Sequence, residues 1–524
     1  MFDLLIRGGK IVDGTGTGPY IGDIALKDGK IAAVGIFEGE ALQTIDAEGL
    51  CVTPGFIDIH RHGDAEVFRH GFGEAELRQG LTTILNGCCG LSFAPFGQDY
   101  RKEIEQYLRP VIGTAEAGIP TESMKAYLDA LKQRNLPLNV GMLVGGGTVR
   151  TDVCGYRAQA PEDMGQIHRR LERALSEGAL AVSLGLGYAP ECFYSTEELI
   201  QALAPLQGGK VPIAVHMREE GDKVCEAVEE MITVARALQC PLHISHLKAM
   251  GMRNWGKKIP HALALMERAR EEGLTVSCDV YLYTAGSTQL LHLLPPDFLE
   301  GGTEAICHRL RQKEQREILR KRIKEGMDFD NIAQMIGWDN IILSSMHRPE
   351  HQALVGKTIA QASEILREDP VDCLCRLLAE ENCSVTMIDR INSEEDICRI
   401  LADPFSSVIS DGTYPWQGLY HPRVYGTYAR LIEKYVMQDQ VLTLPQAVRK
   451  ATALPAQAMG LAGKGMICVG ADADINLFHP ENIRERASFA QPRQLSEGMD
   501  TVIVGGKPAI LHGVYTATFS GKVL

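Results

Sequence analysis

Eight short apolar runs follow one another through the middle of the chain, and each ends at a polar or glycine-rich position. The runs are FIDIH, TTILN, NVGMLVG, LAVSLGLG, PIAVHM, PLHISH, TVSCDVYLY and SSVISD. Amphipathic segments such as GQIHRRLERALSEG and DKVCEAVEEMITVARAL lie between them. This alternation is typical of a parallel sheet covered by helices, and eight repeats fit a closed ring better than an open sheet. The pattern predicts an α/β fold, a (β/α)8 TIM barrel over residues 55–463.

Both ends of the chain carry short strand-like runs broken by Asp-Gly and Gly-Gly pairs, which are typical of hairpin turns. The runs include GDIALKDGKIAAVG near the start and TVIVGGKPAILHG near the end. We predict that residues 1–54 and 464–524 together form one small β-sandwich. Two separate β appendages are the alternative.

The stretch after the seventh apolar run is too long for a plain connection to the next strand. It contains LLHLLPPDFLEGG and the charged helix HRLRQKEQREILRKRIKEG. We therefore predict an insertion over residues 288–343 that caps the catalytic face of the barrel. The charged helix itself is typical of a solvated surface.

Composition and charge indicate which kind of protein this is and which kinds of partner it can bind. The chain has 524 residues, 45% hydrophobic and 23% charged, as is usual for a globular protein. A net charge of −14 argues against nucleic acid or an anionic membrane as the partner, and a small-molecule substrate fits better. No signal peptide or membrane-spanning run is recognisable, which predicts a cytoplasmic protein; a homo-oligomer is compatible with the sequence. The fourteen cysteines follow no disulfide framework and are expected to be free thiols.

Side chains of the types that bind metals cluster at the ends of the apolar runs. On a strand, residues two apart face the same side, so His60 and His62 can face one ion. The carboxyl ends of barrel strands converge on one face, where the remaining candidates would meet them. These remaining candidates are Cys89, His216, His246 and Asp411.

Thiolate, imidazole and carboxylate are the usual ligands of zinc. Cys89, His216 and His246 therefore form a coherent three-ligand zinc site. His60, His62 and Asp411 could hold a second ion or support the first. A carboxylate in the position of Asp411 can also take a proton from zinc-activated water and pass it to a leaving amine.

The same segments resemble a known family. The motifs are GFIDIHRHGD, LRQGLTTILNGCCG, VHMREEGD, HISHLKAMG, DVYLYTAGST, ISDGTYP, HPRVYGTYAR and LTLPQAVRKATALPAQAMGL. In this order they resemble the amidohydrolase superfamily, and more narrowly its D-aminoacylase branch, the N-acyl-D-amino-acid deacylases. The resemblance covers nearly the whole chain, and it implies a β-sandwich joined to a metal-dependent barrel with an insertion.

The resemblance also implies roles for single residues. It assigns Cys89, His216 and His246 to one tightly bound Zn²⁺, and His60, His62 and Asp411 to a second, weaker site, with Asp411 as general acid/base. Contacts to the substrate carboxylate fall on Lys248, Tyr283, Ser287 and Arg423.

Two positions depart from the family pattern. Arg61 lies between the two histidines, where strand alternation turns it away from an ion. Cys88 precedes Cys89, so either thiol could be the ligand; the glycine at position 90 favours Cys89.

The resemblance implies zinc-dependent hydrolysis of the linear amide bond of N-acyl-D-amino acids, giving a carboxylate and a D-amino acid. One alternative is a cyclic amidohydrolase of the hydantoinase or dihydropyrimidinase type, although such enzymes usually bridge two metals through a modified lysine. A second alternative, from another class, is a catalytically inactive barrel that serves as a scaffold. Such barrels lose ligands, whereas this chain keeps six candidates.

Overall fold

The computed structural model describes residues 1–113, 118–326, 328–415 and 417–524. The predicted ranges also contain positions 114–117, 327 and 416, which lie outside the described residues. In chain order the strands are β1 (Phe2–Ile11), β2 (Tyr20–Lys27), β3 (Lys30–Gly35), β4 (Ala41–Asp46), β5 (Cys51–Pro54), β6 (Phe56–Asp58), β7 (Leu81–Asn86), β8 (Asn139–Met142), β9 (Val144–Gly145), β10 (Val182–Gly185), β11 (Ile213–His216), β12 (Leu242–Ile244), β13 (Val276–Val280), β14 (Gly286–Gln289), β15 (Ile341–Ser345), β16 (Thr386–Asp389), β17 (Ser406–Val408), β18 (Ile475–Phe478), β19 (Met499–Val504), β20 (Lys507–Leu511) and β21 (Val514–Tyr515).

Helices separate most of these strands. In chain order they are α1 (Glu74–Leu77), α2 (Arg101–Ile112), α3 (Met124–Lys132), α4 (Gly146–Cys154), α5 (Gly165–Ser176), α6 (Thr196–Ala202), α7 (Val224–Leu238), α8 (Lys258–Glu271), α9 (Gly302–Arg311), α10 (Lys313–Glu325), α11 (Ile332–Ile336), α12 (Ile359–Leu366), α13 (Pro370–Glu380), α14 (Glu394–Ala402), α15 (Arg423–Arg430), α16 (Leu444–Ala451) and α17 (Ala453–Ala458). Among the residues that the structure describes, no helix has the length and apolar character needed to cross a membrane.

The central unit is a ring of parallel strands in the order β6, β7, β8 with β9, β10, β11, β12, β13 and β17. The segments β8 and β9 are two parts of one barrel strand, since β8 pairs with β7 and β9 pairs with β10. Just beyond β6 and β17 the ring closes, where Asp411 N donates to His60 O at 3.0 Å and His62 N donates to Gly412 O at 2.8 Å. The predicted (β/α)8 barrel is confirmed.

The helices cover the ring with one apolar face each. In α7 the buried positions include Val224, Val228, Met231 and Ala235, which recur at three- and four-residue intervals. The helix ends at Gln239, whose φ of 51° lies in the left-handed region that stops helices. Removing such a face from water stabilises the fold by about 1.5–3 kcal/mol for each large side chain.

Strands from both ends of the chain form one sheet, in the order β21, β20, β19, β18, β5, β1, β2, β3, with β4 added to β1. Its buried side chains, among them Leu4, Ile24, Ile475 and Ile503, pack into a core of their own. The predicted composite β-sandwich is confirmed, while its exact limits of 1–54 and 464–524 stay a prediction.

The segment between β13 and β17 contains an inserted unit. An antiparallel sheet in the order β14, β16, β15 supports α9 to α13, and a separate apolar cluster fills the space beneath them. The predicted limits of 288–343 enclose only part of this unit. Because the central strand β16 ends at Asp389, the unit extends well past residue 343.

Candidate metal centre and active site

The six candidate ligands lie together at the carboxyl ends of the barrel strands. Each follows or ends its strand and is at least nine-tenths buried. They are His60 and His62 after β6, Cys89 after β7, His216 at the end of β11, His246 after β12 and Asp411 after β17. The predicted convergence on one face is therefore present in the structure.

Cys89, His216 and His246 form the first ligand set. Cys89 Sγ lies 3.4 Å from His246 Nε2, and His216 Nδ1 lies 3.1 Å from the same nitrogen. One ligand atom from each residue falls within 4.8 Å of the other two. A thiol and two imidazoles at this spacing suit a tetrahedral zinc ion with one open position.

His60 and His62 form a second set that shares Cys89 with the first. His60 Nε2 lies 3.2 Å from Cys89 Sγ, and one ligand atom from each of His60, His62 and Cys89 lies within 4.8 Å of the other two. Asp411 Oδ1 lies 3.2 Å from His62 Nε2 and 3.6 Å from His60 Nε2. Cys89 therefore stands between the two sets, a position that the sequence did not indicate.

Three candidate ligands adopt backbone conformations that residues with a side chain rarely take. The φ angles are 54° at Cys89, 36° at His246 and 50° at Asp411. Non-glycine residues in the left-handed region are held there by their surroundings and cluster at functional sites. The chain turns sharply as it leaves each strand, and the turn aims the side chain inward.

The neighbouring thiol takes no part in either set. Cys88 Sγ faces the backbone oxygen of Ile59 at 3.6 Å, within the barrel interior. Arg61 also points away, as strand alternation predicts, since its Nη2 lies 2.8 Å from Glu76 and contacts the hydroxyl of Tyr414. The geometry thus favours Cys89 over Cys88 and leaves the ligand face free of the guanidinium.

Two buried carboxylates hold His246 in place. Glu220 Oε1 lies 3.0 Å from His246 Nδ1, and its Oε2 lies 2.7 Å from Lys248 Nζ. Asp279 accepts from the backbone amide of His246 and contacts His243 Nε2 at 2.7 Å. Such outer carboxylates orient metal-binding histidines. Sequence reasoning missed Glu220, although an acid four residues after His216 in VHMREEG is a readable signal.

The protonation states suit a metal ion. Burial lowers the pKa values of His60 and His216 well below the ordinary range, so both imidazoles are neutral and have a free lone pair. Burial, and then the charge of Asp411, raises the pKa of the Cys89 thiol well above its usual value. A thiolate here therefore needs a cation beside it, and the donor set fits a zinc ion.

A pocket opens above the ligands and is lined by three of the four predicted substrate contacts, Lys248, Ser287 and Arg423. Arg423 Nη1 lies 2.8 Å from Asp411 Oδ2, and its Nη2 donates to the backbone oxygen of Ser287 at 3.1 Å. Burial raises the pKa of Asp411, but Arg423 and His62 outweigh that effect and hold it well below its usual range. Asp411 is therefore ionised and touches both the ligands and the pocket.

Tyr283 is not at the pocket, which corrects the predicted contact. Its hydroxyl donates to Glu485 Oε1 at 2.7 Å, and its ring lies against the guanidinium of Arg430. Tyr281 lines the pocket instead, with its ring centroid 4.9 Å from the guanidinium carbon of Arg423. The barrel strand ends at Val280, so the alternation that faces Tyr281 inward does not continue to Tyr283.

Comparison with known proteins identifies the family. The sequence profile of the Amidohydrolase family matches residues 43–293 and 348–510. The chain belongs to the amidohydrolase family. Within that family, a D-aminoacylase from Alcaligenes xylosoxydans xylosoxydans is 31% identical over 527 residues, which cover 100% of this chain and 97% of the relative. The predicted resemblance is confirmed.

A solved structure of the family agrees over the whole chain. The N-acyl-D-glutamate deacylase from Bordetella bronchiseptica, complexed with zinc and a phosphonate mimic of the tetrahedral intermediate, superposes with a TM-score of 0.84 at 29% identity. The superposition covers 100% of this chain and 99% of that one. A D-hydantoinase from Rhizobium radiobacter is more distant, with 26% identity over 62% of this chain and 67% of its own length. The cyclic-amide alternative therefore has weaker support than the linear one.

Proposed function

We propose that this amidohydrolase cleaves the linear amide bond of N-acyl-D-amino acids and releases a carboxylate and a D-amino acid. The observation that carries the proposal is the position of Asp411. It lies beside the candidate ligands on one side and 2.8 Å from Arg423 on the other. A single substrate can thus place its amide at the candidate ligands and its carboxylate at Arg423. The linear-amide activities named for the relatives match this layout.

Cys89, His216 and His246 would hold one zinc ion tightly, and His60 and His62 with Asp411 would form a weaker second site. A zinc ion supplies Lewis acidity, which polarises an amide carbonyl and lowers the pKa of bound water to about 7. Glu220 keeps the imidazole of His246 oriented for this role, and Asp279 holds the backbone amide of the same residue.

Asp411 moves the proton in this mechanism. Its carboxylate is ionised before reaction, because Arg423 and His62 stabilise the charge. It accepts a proton from the attacking water and returns it to the nitrogen of the breaking amide bond, so that the nitrogen leaves as an amine. The same group therefore serves first as base and then as acid.

Arg423 binds the carboxylate of the substrate and fixes its distance from the scissile bond. A guanidinium offers two parallel donors that match a carboxylate. The hydroxyl of Tyr281 is buried in the same pocket without a hydrogen-bond partner among the described residues, so it is available as a further donor. Lys248 and Ser287 line the pocket beside them and complete the set.

A cytoplasmic location fits the cysteines, since all fourteen thiols are free and most are buried. The partner is a small-molecule substrate, which fits a pocket lined by buried side chains.

A panel of substrates tests the proposal. Zinc-loaded protein is assayed against N-acetyl-D-methionine, N-acetyl-L-methionine and hydantoin, with release of free amino acid or ring opening as the readout. We expect turnover of the D-compound and little of the other two. Ring opening of hydantoin without hydrolysis of the D-compound would favour the cyclic alternative. Absence of both zinc and turnover would favour the inactive scaffold.

A further inference from the structure

Asp389 is a buried acid in the substrate pocket that the proposed mechanism does not use. It ends β16, the central strand of the inserted unit, and its residue surface is only 1% exposed. It lines the same pocket as Cys89, Lys248 and Arg423. The inserted unit thus contributes a charged group directly to the site.

One carboxyl oxygen of Asp389 accepts no hydrogen bond from the described residues. Its Oδ1 has no hydrogen-bond partner within the part of the chain that the structure describes, and neither has the hydroxyl of Tyr281. A Cβ on Gly286 would stand 2.9 Å from Asp389 Oδ1 and 3.3 Å from Tyr281 OH. The acid and the phenol therefore face one space, which stays open because position 286 is glycine.

The two cations that line the pocket have other carboxylates as their ion-pair partners. Lys248 Nζ lies 2.7 Å from Glu220, and Arg423 Nη1 lies 2.8 Å from Asp411. Burial raises the pKa of Asp389 to about 6, although Lys248 and Arg423 act in the opposite direction. At neutral pH the group is mainly ionised, and a buried carboxylate without a donor is costly unless a ligand supplies one.

We propose that Asp389 is a specificity residue that pairs with an ammonium group on the substrate. This inference rests on the proposed function, because it places the substrate carboxylate at Arg423. Other groups of the same molecule then occupy the rest of the pocket, which Asp389 lines. The ammonium comes either from the side chain of a basic D-amino acid or from the acyl part of an aminoacyl-D-amino acid.

The same charge opposes acidic side chains. A carboxylate on the substrate side chain that approached Asp389 would face a like charge, and like charges at close quarters in a buried site repel strongly. The specificity would therefore differ from that named for the N-acyl-D-glutamate deacylase of Bordetella bronchiseptica.

Four substrates and one isosteric variant test the inference. The kcat/KM values of the wild type and of Asp389→Asn are measured for N-acetyl-D-lysine, glycyl-D-methionine, N-acetyl-D-methionine and N-acetyl-D-glutamate. We expect the wild type to prefer at least one ammonium-bearing substrate over the glutamate compound by about 30-fold or more. Asp389→Asn should remove most of that preference and change the neutral methionine compound by less than about threefold. If Asp389→Asn loses activity on the lysine compound, the ammonium comes from the amino-acid side chain, and if it loses activity on the glycyl compound, the ammonium comes from the acyl part.

Asp339→Asn is the matched control, because it removes an exposed carboxylate from the same inserted unit. It should keep the wild-type preference. The inference is overturned if the wild type prefers neither ammonium-bearing compound over the glutamate compound, or if the preference is unchanged in Asp389→Asn. The wild-type panel decides even if the variant does not fold. Failure of every N-acyl-D substrate, the neutral one included, instead defeats the proposed function, and the inference falls with it.

Discussion

Asp411 connects the two halves of the site at the scale of a single residue. One carboxylate oxygen lies near His60 and His62, and the other near Arg423. A group in this position can exchange a proton with the reacting atoms only if it is free of a proton beforehand, and its cationic neighbours ensure that. A substitution that removes the charge of Asp411 but keeps its shape should therefore stop the reaction and leave zinc binding intact.

We expect Asp411→Asn to lower kcat by about 100-fold to 10,000-fold, the usual contribution of a general acid/base. Cys89, His216 and His246 remain, so zinc measured by mass spectrometry should stay close to the wild-type content. Asp403→Asn serves as the control, because this acid precedes the opposite end of the same strand and pairs with Arg270. An Asp411→Asn enzyme with near wild-type kcat would contradict the assigned role.

The sequence predicted the identity of the candidate metal ligands better than it predicted how they form two sets. The period of two along a strand correctly faced His60 and His62 together and turned Arg61 away. It could not place Cys89 between the two sets, because that position depends on a left-handed turn after β7. Glu220 lies beyond β11 in an irregular segment, so its nearness to His216 in VHMREEG marks it as a candidate, but no periodicity predicts where its side chain points.

At the scale of single elements, the end of β13 decides which tyrosine faces the pocket. Within the strand, Asp279 faces the histidines, and Tyr281 continues that direction just past the strand end. Tyr283 lies beyond the end of the strand and turns to Glu485. The motif identified the correct segment, but only the backbone geometry could identify the side chain.

A pair of phenylalanine variants checks this assignment. Tyr281→Phe should lower kcat/KM for an N-acyl-D-amino acid by about 10-fold to 100-fold, since it removes a donor to a charged group. Tyr283→Phe should leave kcat/KM close to the wild-type value but lower the melting temperature, because it breaks a partly buried hydrogen bond to Glu485. The reverse pattern would restore the original prediction for Tyr283.

The end of the inserted unit could not be predicted from the pattern of hydrophobic and polar residues. The long gap after the seventh apolar run revealed that an insertion exists, and the charged helix marked its surface. Its far boundary was missed because β16 is a short strand, TMID, that pairs with β14 and β15 across a long stretch of chain. Pairing at that distance leaves no local signal in the sequence.

At the scale of the whole molecule, the ligands come from five different barrel strands, so a bound ion joins distant parts of the ring. An ion that binds only the folded state stabilises it by mass action, by about 4 kcal/mol at a thousand times its dissociation constant. For a chain of this size we expect chelation of the metal to lower the melting temperature by on the order of 5 °C. Calorimetry of holo and chelated protein measures the change.

Cys89→Ser provides the matched control for that experiment. It removes the thiol shared by both ligand sets with little change in shape, so it should melt near the chelated wild type and respond little to the chelator. A wild-type melting temperature that is the same with and without chelator would contradict the metal-stabilised ring.

The place where the ring of strands closes, just beyond β6 and β17, has a consequence for how the protein is synthesised. His60 and Asp411 are joined there by a backbone hydrogen bond, yet they lie near opposite ends of the barrel sequence. A ribosome therefore releases the first two histidines long before the strand that completes their surroundings. Closing so long a loop is slow compared with forming local helices. The catalytic centre can therefore form only after the strand that precedes Asp411 has left the ribosome, and an active molecule is one whose ring has closed.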